Sequence, residues 1–143
     1  MKPHNKRIVK EYIEKVINTG NVELIPQFVS SDYVEIYNNK KYPIGIEGAK
    51  EHLTGVRNTY PDLKLSIDLQ IEEGELVATC YTMRGTHSGE WMGIKPTGRR
   101  IKVTGVNIDR IIDNKIVEHG GAANMFDGLL EIGAIKIMGE TEE

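Results

Sequence analysis

The apolar positions change period part-way along the chain. Up to about residue 60 they recur at helical spacing; beyond it they alternate with polar ones. Ile8, Val9, Tyr12, Ile13, Val16 and Ile17 form one stripe, which predicts a helix over residues 5–19. Asn5 can cap its start and Gly20 fits its end. A shorter helix is expected next, capped by Asn21, with Val22, Ile25, Phe28 and Val29 inward; Pro26 limits it to a turn or two. Ala49, Leu53, Val56 and Tyr60 predict a third helix over residues 46–59, and Pro61 turns Tyr60 away from helical geometry.

From Leu63 the period is two. Leu63, Leu65, Ile67, Leu69 and Ile71 alternate with Lys64, Ser66, Asp68, Gln70 and Glu72, which predicts a strand with one buried face. Glu73-Gly74 is the turn into a strand over residues 75–87, with Val77, Thr79, Tyr81 and Met83 on one side. Residues 88–98 are rich in turn formers and read as a loop. A long strand is expected over residues 99–112. Its apolar parity switches from Ile101 and Val103 to Val106, Ile108 and Ile112, so a bulge is expected at Gly105. Asp113-Asn114 is a hairpin turn, residues 115–125 the returning strand, and Phe126, Leu129 and Leu130 lie on a last short helix. Helices followed by a run of antiparallel strands make an α+β domain, one domain over residues 1–143, whose bent sheet wraps about three helices and encloses a cavity.

Composition narrows the function classes. The net charge is −3, and no basic block exceeds Arg99-Arg100-Ile101-Lys102, which argues against nucleic acid as a partner. The apolar runs are far shorter than a membrane span, and none follows the basic N-terminal residues as in a signal peptide. Cys80 is the single cysteine, which excludes an internal disulfide and fits a cytoplasmic protein. The four histidines, at positions 4, 52, 87 and 119, lack metal-ligand spacing, and no phosphate-binding glycine motif is present. Any catalysis is therefore expected to be proton transfer without a cofactor.

Candidate chemistry lies in the last hairpin, where Glu118-His119-Gly120-Gly121-Ala122-Ala123-Asn124 puts four very small residues in strand context. With a two-residue turn, Ile112 pairs with Lys115, Arg110 with Val117 and Ile108 with His119. One face then carries Asn107, Asp109 and Ile111 beside Glu118, Gly120, Ala122 and Asn124, a hollow with a polar rim. The other carries Val106, Ile108 and Ile112, with Arg110 and His119 among them. A three-residue turn would instead bring Arg110 and Glu118 to the Asn124 face. Asp109, if buried, would have a raised pKa and could act as a base at an acidic C–H; the plainer reading leaves it in solvent. Asn124 could hydrogen-bond an enolate oxygen or cap the last helix. Arg110 could hold an anion or pair with Glu118. His87 could shuttle protons or fix its loop, and Trp91 could line the pocket mouth or a dimer contact. Tyr33, Tyr37 and Tyr42 read as wall and core. Asp109 and Asn124 are thus the candidates for chemistry, and Arg110, His87, Trp91, His119, Asn107 and Gly120 for contact with a bound molecule.

The segment GTHSGEWMGIKPTGRRIKVTGVNIDRIIDNKIVEH, residues 85–119, resembles the SnoaL-like polyketide cyclase or ester cyclase family of the NTF2-like superfamily. Asn18-Thr19-Gly20, Gly45 to Gly48 and Tyr60-Pro61-Asp62 extend the resemblance over about residues 5–135. It implies a cone-shaped curved antiparallel sheet against helices around an internal pocket, and a homodimer. It also implies intramolecular aldol cyclisation of a polyketide ester, with a carboxylate on the last strand as acid and base. Family sequences often read Glu-His-Trp with an aspartate four residues after the tryptophan; here those places hold Gly120 and Asn124, and an amide exchanges no proton near neutral pH. Many relatives also place a histidine where this chain has Ile36. Two expectations follow: a cyclase-like or isomerase-like proton-transfer enzyme for a small apolar carbonyl compound, or a non-catalytic module that binds a small hydrophobic molecule.

Overall fold

The computed structural model describes residues 5–139. Helix α1 (Asn5–Tyr12) runs without a break into a π-helical turn, Ile13–Ile17. The predicted helix thus exists, but its second half is wound more loosely. Asn18 ends it and docks it, exchanging two hydrogen bonds with the Leu65 backbone at 3.0 and 2.8 Å. A 3-10 turn (Val22–Leu24) leads into the four-residue α2 (Ile25–Phe28), which starts with Pro26 in its first turn, where no amide hydrogen is needed. Helix α3 spans Gly45–Thr59 and stops before Pro61 as expected. Arg57 pins its end through the carbonyls of Ile17, Leu63 and Pro61.

Six strands form one curved sheet in the order β2-β1-β6-β5-β4-β3. Four of them follow the alternating half of the sequence: β3 (Lys64–Glu73), β4 (Leu76–Thr86), β5 (Arg100–Ile112) and β6 (Lys115–Ala123). The other two, β1 (Val29–Tyr37) and β2 (Lys40–Pro43), were not expected. Asn38 and Asn39, both at positive φ, make the two-residue turn between them. β1 adds to β6 in parallel, so the sheet is mixed rather than wholly antiparallel. The sheet does not close. Helix α4 (Met125–Glu131) follows β6.

Two cores hold the layers together. Val9, Ile13 and Val16 from the first helix, Ile25, Phe28 and Leu53 pack onto Val29, Val77, Ile111 and Ile116 of the sheet. Each such side chain contributes about 1.5–3 kcal/mol when fully buried. The smaller core joins Tyr60, Leu63, Ile101 and Val103 to Ile132 beyond α4.

Register departs from the simple alternation at two bulges. In β3 the pairing with β4 slips between Ile67 and Leu69. Leu65 and Ile67 face the helices, but Leu69 and Ile71 turn outward and are 53% and 59% exposed, against the expectation of one buried face. In β6 the pairing slips at Val117: Ile111 lies opposite Ile116, whereas Arg110 lies opposite Glu118. The expected turn at Asp113-Asn114 is present, both residues at positive φ. No bulge occurs at Gly105. Pairing of β4 with β5 is regular from Leu76↔Arg110 to Thr86↔Arg100. The parity switch there has another cause: Val106, Ile108 and Ile112 are outward, while Asn107 and Asp109 continue the inward row.

Candidate functional site

Between the helices and the concave face of the sheet lies a cavity of ≈ 320 Å³, within the range of about 300–1,000 Å³ common for small-molecule sites. Its roof is apolar: Val9, Ile13 and Ile17 from the first helix, Leu53 and Val56 from α3. Its floor is polar. Tyr33 and Glu35 on β1, Tyr81 on β4, Asn107 and Asp109 on β5 and His119 on β6 all face it.

The Val117 bulge makes this floor. It places His119 opposite Asp109, on the same side of the sheet, where an unbroken ladder would have sent it to the other side. Asp109 is 3% exposed and its Oδ1 lies 2.6 Å from Nδ1 of His119. A carboxylate accepts, so Nδ1 donates, and Nε2 is the nitrogen left to exchange a proton; it has no hydrogen bond to the described residues. Burial by itself would keep the imidazole neutral. The charge and hydrogen bond of Asp109, with the charge of Glu35, more than offset this and raise the His119 pKa above the usual histidine value. His119 in turn is the cross-strand neighbour of Glu35 on β1. Glu35 Oε1 lies 2.7 Å from Nδ1 of His52 on α3. Burial pushes the Glu35 carboxyl up, but the hydrogen bond and charge of His52 and the charge of His119 bring it below the usual glutamate value. Burial first, then the charges of Asp109 and Glu35, raise the Tyr12 and Tyr33 phenols, so both stay neutral O–H donors.

Of the residues singled out in the sequence, Asp109, Asn107 and His119 meet in this cavity. The others do not. Asn124 is exposed and caps α4: its Oδ1 accepts from the Asp127 amide at 3.5 Å and its Nδ2 donates to the Asp127 carboxylate at 3.1 Å. Arg110 faces the outer side of the sheet and pairs with Glu118 at 2.7 Å and Glu75 at 2.9 Å. Gly120 is also outward, where an added Cβ would meet Ile36 at 3.0 Å. The bulge therefore corrects the expected face: Glu118, Gly120 and Ala122 leave it, and the small residues give the strands close contact rather than giving the cavity room. His87 is fully buried in the smaller core and takes a hydrogen bond from the Thr97 amide, which fixes the loop ahead of β5. Trp91 packs edge-on against Tyr60 there, their ring centroids 5.8 Å apart. Tyr33 is cavity wall, but Tyr37 and Tyr42 are exposed.

Glu35, His52 and Tyr12 were missed. The stretch Tyr33-Val34-Glu35-Ile36-Tyr37 followed by Asn38-Asn39 carries the β-branched and aromatic residues of a strand and the turn of a hairpin, which places Tyr33 and Glu35 on one face. Among the described residues no group of three or more His, Cys, Asp or Glu side chains is arranged to hold a metal ion, and no helix is long and apolar enough to cross a membrane.

Residues 7–130 match the model of the SnoaL-like polyketide cyclases. The chain belongs to that family. Within it, the chain is 33% identical over 107 residues to the nogalonic acid methyl ester cyclase of Streptomyces nogalater, an alignment covering 71% of this chain and 78% of that protein. It is 25% identical over 118 residues to the aklanonic acid methyl ester cyclase DnrD of Streptomyces peucetius, covering 80% and 77%. The structure of AclR from Streptomyces galilaeus superposes with a TM-score of 0.81 at 28% identity, covering 92% of this chain and 97% of AclR. The family's curved-sheet, NTF2-like architecture is thus this chain's fold, with the sheet left open at one side.

Proposed function

We propose that this SnoaL-like protein catalyses a cofactor-free proton transfer of the cyclase or isomerase type on a small apolar carbonyl compound. One observation carries the reading: Asp109, almost fully buried, is held 2.6 Å from His119 in a cavity with an apolar roof. In this arrangement Asp109 fixes the imidazole and favours its charged form, and His119 presents Nε2 to the substrate. As a C–H bond next to a carbonyl is broken, negative charge moves to the carbonyl oxygen. An imidazolium there stabilises the enolate and can protonate it, and a site shielded from water strengthens that interaction. The neutral phenols of Tyr12 and Tyr33 add donors beside it. The cyclases among the relatives support the same class of chemistry.

The test is hydrogen–deuterium exchange at the single acidic C–H of ethyl 2-methylacetoacetate in D2O, followed by NMR. Wild type is expected to accelerate exchange, and Asp109→Asn to lose about 100-fold or more of that acceleration. Binding of the ester without any accelerated exchange would favour the non-catalytic ligand-binding module instead.

A further inference from the structure

The proposed function uses two of three ionisable side chains that lie in one transverse row of the sheet. Glu35 on β1 neighbours His119 on β6, which neighbours Asp109 on β5. All three face the cavity. Asp109 is its buried end, 4% exposed, while the side chains of His119 and Glu35 are 32% and 25% exposed. A carbonyl substrate seated against His119 therefore has a carboxylate on each side of that imidazole. Asp109 is occupied in orienting it. Glu35 is turned the other way, toward His52.

We infer that Glu35 is the second carboxylate of this site, the group that takes the C–H proton of the substrate, with His52 and Tyr33 as its positioning residues. This rests on the acid–base reading of Asp109 and His119. The step balances as follows. The C–H bond breaks and its proton passes to Glu35. The electron pair forms the enolate, whose oxygen is met by the His119 imidazolium. In an isomerisation Glu35 returns the proton to another carbon. In an aldol closure the enolate carbon attacks a second carbonyl and His119 protonates the new alkoxide. Glu35 then releases its proton to solvent and His119 takes one up, so no net proton is consumed.

The substrate class follows from the same surroundings. Glu35 is faced by His52 from α3, Tyr33 from its own strand, His119 from β6, Tyr12 from the first helix and, one strand further, Asp109. A carboxylate is ionised at neutral pH and is a weak base. A weak base needs an acidic C–H, so the fitting substrates are 1,3-dicarbonyl compounds and β-keto esters rather than simple ketones. Position 124, outside the cavity, need not supply a carboxylate when β1 does.

Exchange of ethyl 2-methylacetoacetate is measured for Glu35→Gln and His52→Gln beside wild type and Asp109→Asn. Glu35→Gln is expected to lose about 100-fold or more. His52→Gln is expected to retain exchange but move its acid limb to higher pD, since Glu35 loses the imidazole that lowers it; a merely structural His52 would leave that limb in place. If Glu35→Gln keeps exchange within a few-fold while Asp109→Asn loses it, the inference fails and the proton-transfer function stands. If wild type accelerates nothing, both fall. A second readout needs no turnover: the Cε1–H titration of His119 should move to lower pH in Glu35→Gln, and an unmoved midpoint would overturn the placement of Glu35's charge beside that ring.

Discussion

The hydrogen that stands in for a side chain at Gly121 points into β5. An added Cβ would collide with the Val106 carbonyl oxygen and approach Asn107 Cα at 2.9 Å. Both neighbours are backbone, so neither can swing aside. Gly121→Ala is expected to cost about 2–3 kcal/mol, read as a drop in the midpoint of thermal unfolding. Asn124 sits three residues further on and has a different task. Asn124→Ala should lose the α4 cap, about 1 kcal/mol, with exchange activity intact. Asn124→Asp should also leave exchange intact, because the position lies outside the cavity, but lose stability, because the donor to the Asp127 carboxylate is replaced by a second carboxylate. These two sites mark what the sequence could and could not say of single residues. That small residues in β6 imply close approach was legible from residue type. Which neighbour comes close, and whether Asn124 reaches the cavity, depended on register.

Register belongs to whole elements, and there the two bulges decide the outcome. The alternation of β4, β5 and β6, and of β3 as far as Ile67, was readable because one face there packs inward. An extra residue in β3 or β6 leaves local composition unchanged, so alternation carries no trace of it. β5 also misled, because its inward row turns polar at Asn107 and Asp109 while Val106 and Ile108 stand outward. The first two strands escaped notice since β2 is wholly exposed and β1 buries only part of one face. The row joining β1, β6 and β5 has a pH signature of its own. The raised pKa of His119 means that its ion pair with Asp109 stabilises fully below the ordinary histidine value of 6.5 and fades as pH rises through the folded-state pKa. The lowered pKa of Glu35 means that its pairing stabilises fully above 4.5 and fades as pH falls through the folded-state pKa. Together they contribute most between those values. Urea midpoints measured from pH 4 to 9 should show the alkaline loss in wild type and a flatter alkaline side in Asp109→Asn.

At the scale of the molecule, the sheet has a second face that no helix among the described residues covers. Leu69, Ile71, Val106 and Ile108 stand there 39–59% exposed, on the strands either side of β4. At one end the cations Lys64, Arg84 and Lys102 lie side by side across three strands, none of them in a salt bridge among the described residues. At the other end are Glu73 and Glu75, the latter paired with Arg110 at 2.9 Å. A two-fold axis in the plane of contact and across the strands would set the basic end of one copy on the acidic end of the other. We propose a homodimer through this face. Sedimentation should give a dimer at micromolar concentration and a monomer for Ile108→Lys; a monomeric wild type would rule it out. Whether these two faces keep their separate characters rests on Val117. A strand is read in steps of two, and this single residue works as a frameshift: it sends Glu118 to the side of Arg110 and His119 to the side of Asp109. Were β6 to pair straight through Val117, that residue would stand opposite Arg110, Glu118 would enter the cavity opposite Asp109, and His119 would pass to the outer face. The pairing of His119 with Asp109 would be lost and the outer face altered in the same step.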